Sequence, residues 1–62
     1  MDKQEVIERL TEHLKAKERK NGRLCRNDKF YCQYYVMDFL LFTKKEAVQF
    51  IKEHFPMVAQ FK

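Results

Sequence analysis

The thirteen residues from Phe30 to Phe42 (FYCQYYVMDFLLF) constrain this chain more than any other stretch. They hold six of its nine aromatic side chains and only two strongly polar residues, Gln33 and Asp38. Wound as a helix at about 100° per residue, the segment puts Tyr31, Tyr34, Asp38 and Leu41 on one flank. Cys32, Val36, Phe39 and Leu40 fall on the other. Laid out as a strand, it carries one polar group on each face. Either way it has no wet side, so it has to be covered all round.

Helix is the expected state. Thirteen residues is long for a strand, Gln, Met, Asp and Leu-Leu suit a helix, and Asn27 or Asp28 stands where an N-cap would be. The aromatic and β-branched run from Phe30 to Val36 supports a rival. In that reading a β-hairpin over about residues 23–35 turns at Asn27-Asp28, giving an α+β fold. The stretch is too short to cross a bilayer, which takes about 20 apolar residues.

The flanking segments are easier to read. Val6, Ile7, Leu10 and Leu14 recur at helical spacing, which predicts an amphipathic helix over 2–19 with a Glu5–Arg9 pair along one face. Its apolar stripe stops at Leu14, so the turn from Lys15 to Lys20 projects beyond the core or frays. Asn21-Gly22 is the stop, with Gly22 in the left-handed position. A basic loop over 20–28 follows, anchored by Leu24 and Cys25, and then the central helix over 28–41. Thr43-Lys44-Lys45-Glu46 is a capping box, with Phe42 placed to staple onto Ala47. The third helix runs over 44–55, buries Ala47, Val48, Phe50, Ile51 and Phe55, and stops at Pro56. The tail over 56–62 is too apolar to be purely solvated, so it folds back or meets another chain.

Sixty-two residues make one domain at most. At this size a core rarely supplies more than about 3–5 kcal/mol. A composition 45% hydrophobic and 15% aromatic excludes disorder. The expected fold is therefore an all-α domain of three helices. Helices 1 and 3 are each one-sided and cover only part of helix 2, so a homodimer is expected, its interface drawn from Tyr34, Tyr35, Phe39, Leu40, Met57 and Phe61.

Little here points to chemistry. Cys25, Cys32, His13 and His54 number four potential zinc ligands, but six residues separate the cysteines where a structural knuckle has two to four. The plainer reading is two buried thiols and two histidines packed at the margins of their helices. One glycine makes a phosphate loop or an oxyanion turn untenable, and no carboxylate pair has general acid/base spacing. No enzyme activity, cofactor, metal or small-molecule substrate is expected. Asp38 marks either a buried, hydrogen-bonded carboxylate or the most exposed strip of the central helix; the second reading is favoured. The chain opens without an apolar leader, and with only two cysteines a reducing, cytoplasmic setting is expected, with no membrane contact.

Charge supplies the remaining clue. The net charge is +4, and most of it comes from Lys15, Lys17, Arg19, Lys20, Arg23, Arg26 and Lys29. Such a cluster either displaces counterions from a nucleic-acid backbone or only keeps the domain soluble. A helix-turn-helix presenting Lys44, Lys45, Gln49 and Lys52 is a related possibility, opposed by Glu46 and Glu53 on the same face. Two functions stand: a small interaction module that binds protein as a homodimer, or a nucleic-acid binder using residues 15–29 or the 44–54 helix.

Overall fold

A computed structural model describes residues 1–62 and contains four helices and no strand. They are α1 (Lys3–Asn21), α2 (Arg26–Leu40), α3 (Lys44–His54) and α4 (Pro56–Ala59). The all-α reading holds. The hairpin over 23–35 does not form: residues 22–25 connect α1 to α2, and helix begins at Arg26.

α1 starts where Asp2 accepts the Glu5 amide at 2.8 Å. Its one apolar row, Val6, Leu10 and Leu14, is buried. Arg9 and Glu5 meet at 3.5 Å on the wet side. Beyond Leu14 the helix buries nothing yet stays wound to Asn21, two residues further than expected. Gly22 ends it at φ 80, its amide donating to the Glu18 carbonyl at 2.8 Å. A positive φ of this kind costs glycine least, having no Cβ to clash.

α2 packs against all three other helices. It begins two residues before the expected start because Asp28 acts from inside the first turn. The Asp28 carboxylate, itself buried, accepts the Cys25 amide at 2.8 Å, so Cys25 holds the N-cap position. Leu24 packs against the core. Cys25, expected to anchor there as well, is exposed. Cys32 and Val36 are wholly buried on the inner side of α2.

A tight turn follows. Leu41 takes φ 56 and ψ 36, and Phe42 sets its ring edge-on to Phe50 at 5.7 Å. The capping box forms as expected: Glu46 accepts the Thr43 amide at 2.9 Å, and the Thr43 hydroxyl accepts the Glu46 amide at 3.2 Å. Thr43 hydrogen bonds to the Glu46 carboxylate, from its amide first and its side chain second, hold that carboxyl below its ordinary value of 4.5. Its folded pKa is depressed, so its contribution to stability is complete above about pH 4.5 and fades as pH falls through the folded value. Glu46→Gln should flatten that part of the acid limb in urea titrations. Thr43→Ala should cost about 1 kcal/mol at neutral pH. Unchanged midpoints in both variants would contradict this account.

α3 buries Ala47, Phe50 and Ile51, with Val48 only half-buried. It stops at His54, one residue short of expectation, because Pro56 has no amide to extend the helix. Pro56 instead opens the extra helix, α4, at a position where a missing amide is harmless. Val58 of α4 completes the core, so the tail folds back on its own chain. Two cations of α2 hold it there. Arg26 donates to the Lys62 carbonyl at 3.0 Å, and Lys29 to the Phe61 carbonyl.

Candidate interaction surfaces

The helical period that buries Cys32 and Val36 turns Phe30, Tyr31, Tyr34 and Asp38 outward. All four are exposed, Tyr34 to 61%. Leu41, just beyond the last turn, is exposed to 88%. The chain's own helices therefore leave one flank of α2 uncovered. Asp38 takes the exposed strip and has no ion-pair partner, since Arg9–Glu5 is the only salt bridge in the chain.

A stack of rings borders this flank. His13 of α1 lies on Tyr31 at 4.0 Å and nearly parallel to it. Tyr31 leads to Tyr35 at 6.0 Å and Tyr35 to Phe39 at 4.5 Å. Residues four apart on a helix are surface neighbours, which makes the row continuous. Aromatic pairs at such separations are each worth about 0.5–1.5 kcal/mol beyond the area they bury.

The six residues assigned to self-association do not form one surface. Tyr34 and Phe39 are exposed on α2, while Tyr35 and Leu40 are half-buried against the core. Met57 and the half-buried Phe61 line a separate groove, bounded by the end of α1, residues 22–26 and the tail. Phe30 and the far more exposed Leu41 join this flank as well, and helical spacing alone groups Leu41 with Tyr31, Tyr34 and Asp38.

The seven basic residues also divide. Arg26 and Lys29 hold the tail, and Lys29 lies 5.1 Å from the Phe30 ring centre. Lys15, Lys17, Arg19, Lys20 and Arg23 have no carboxylate within ion-pair distance. Arg23 and Arg26 border the groove, together with Lys62. On α3, Lys44, Lys45, Gln49 and Lys52 are exposed alongside Glu46 and Glu53, and Gln49 bonds Glu53 at 3.3 Å.

The thiols are unlike one another. Cys25 is exposed, against the expectation of two buried thiols. Burial first, and the Asp28 carboxylate second, push Cys32 up to about 12. His13 is half-buried under Tyr31, and His54 is exposed with its ring 4.5 Å from Phe50. No three His, Cys, Asp or Glu side chains converge on one point. No helix is long and apolar enough to cross a membrane.

Set against known protein families, curated proteins and solved structures, the chain matches none of them.

Proposed function

We propose that this protein is a small non-enzymatic interaction module that binds protein, pairing with a second copy of itself through the outer flank of α2. Leu41 carries the reading. A side chain with a Cβ pays roughly 1–2 kcal/mol in the left-handed region, and this one is 88% exposed. It gives the isolated domain almost no burial in return. It does extend the apolar surface of Phe30 and Tyr34, which a partner copy would cover. A domain of this size also gains from association, because its own core is small.

Leu41→Gly should raise the stability of the monomer by about 1 kcal/mol, by relieving the backbone. The same change should weaken dimerisation, by removing apolar contact. Chemical denaturation of dilute protein reads the first effect, and sedimentation equilibrium over a tenfold concentration range reads the second. Tyr34→Lys should give a monomer throughout. A wild-type monomer at every concentration would end the dimer reading.

The run of Lys15, Lys17, Arg19, Lys20 and Arg23, none of them paired with a carboxylate, favours a second reading, contact with a nucleic-acid backbone. Replacing Lys17, Lys20, Arg23 and Arg26 by Gln should then abolish salt-sensitive DNA or RNA binding. Under the first reading the same variant still dimerises.

A further inference from the structure

We propose that the groove between the end of α1 and the tail is a second docking site, one that takes an acidic peptide segment with apolar anchors. It has two lobes that share Glu18, Leu24 and Met57, with volumes of about 740 and 310 Å³. The larger lies between residues 22–26 and the tail, and the smaller runs along α1 toward Phe55. Apolar side chains of Leu14, Leu24, Phe55, Met57 and Phe61 line it. Met57 is exposed, and its unbranched thioether adapts to an irregular guest.

The charge is one-sided. Lys15, Arg23, Arg26 and Lys62 border the two lobes, against Glu18 as the one carboxylate side chain. None of the four cations has a carboxylate partner in the chain. An acidic segment would supply the missing counter-charges, with Arg23 free to grip a carboxylate in fork geometry. The apolar lining separates this guest from a nucleic-acid strand. Phosphate would satisfy the cations and leave Leu24 and Met57 unfilled, whereas leucine-like anchors fill them. The site does not depend on the α2 flank, because Tyr34 lines neither lobe.

The probe is a synthetic amphipathic peptide about 16 residues long, four turns, with Leu at helical spacing and Glu elsewhere. Titrated into the labelled full chain, it should shift the amide signals of Leu24, Met57 and Phe61 and leave Tyr34 unmoved. Arg23→Glu and Met57→Glu, both at exposed positions, should each weaken binding about tenfold or more, and Arg23→Lys should recover part of the loss. The Tyr34→Lys chain should bind the peptide as the wild type does, whatever becomes of the dimer.

Three results would overturn the proposal. The first is no signal shift at about 1 mM peptide, weaker than any useful affinity. The second is equal binding after every Leu of the peptide is changed to Ser, which would reduce the groove to a charged surface. The third is equal or tighter binding of a single-stranded thymidine oligonucleotide of the same length, which would hand the cations to nucleic acid.

Discussion

Leu10→Ala should leave a large fraction of the chain unfolded in water at 25 °C. Leu10 is completely buried, midway along the only apolar row of α1, between Val6 and Leu14. Truncating such a side chain costs about 2–5 kcal/mol, the transfer term plus the cavity left behind. A domain this short holds about 3–5 kcal/mol in all. The loss is therefore comparable to the whole stability, and the helical circular-dichroism signal should fall to match. Leu41→Ala removes the same atoms from a side chain 88% exposed and should stay folded. If Leu10→Ala melts cooperatively near the wild-type temperature, α1 is not held by that row.

Cys32 should react far more slowly than Cys25 with a thiol reagent. A shift in Cys32 from 9.0 to about 12 lowers its thiolate fraction by about 10³ at any pH below 9. Burial also denies the reagent a path, while Cys25 lies exposed at the start of α2. Thiol titration of native protein should count one fast group, and a second only after denaturant is added. Two groups reacting at similar rates in the native protein would contradict the burial of Cys32. The same shift has a stability counterpart. The folded value is raised, so the contribution is complete below about pH 9 and is lost as pH climbs toward 12. Cys32→Ala should remove that part of the alkaline decline, a difference visible when its denaturation curves are compared with those of the wild type.

Legibility in the sequence followed the range of the interactions. Thr43 and Glu46 satisfy each other's amides within four residues, so the start of α3 could be read directly. Gly22 marked the end of α1 for a similar reason: a left-handed residue is a local demand. The start of α2 was misread because Asp28, a good N-cap by type, instead works from the third helical position on the amide of Cys25. The short helix α4 was missed because what holds it lies far off in sequence, in the buried Val58 and in bonds from Arg26 and Lys29.

The candidate surfaces divide the same way. Helical projection placed Tyr31, Tyr34, Asp38 and Leu41 together, and Asp38, the only charged residue of the stretch, marked that side as outward. Composition alone could not say that the flank stays open, since that depends on how much of α2 its short neighbours reach. The groove had no local signature at all. It exists only because Leu24, Met57 and Phe61 come from segments more than thirty residues apart.

The two carbonyls gripped by Arg26 and Lys29 lie 36 and 32 residues further along the chain. While the polypeptide is being synthesised, α1, α2 and α3 are complete before either carbonyl exists. Until Val58 arrives the nascent bundle has an unfilled place in its centre, and its last fastening waits for Phe61 and Lys62. Closure of the bundle is thus postponed until the segment from Val58 to Lys62 has been made, and a chain stalled before that segment should be an easy target for proteolysis.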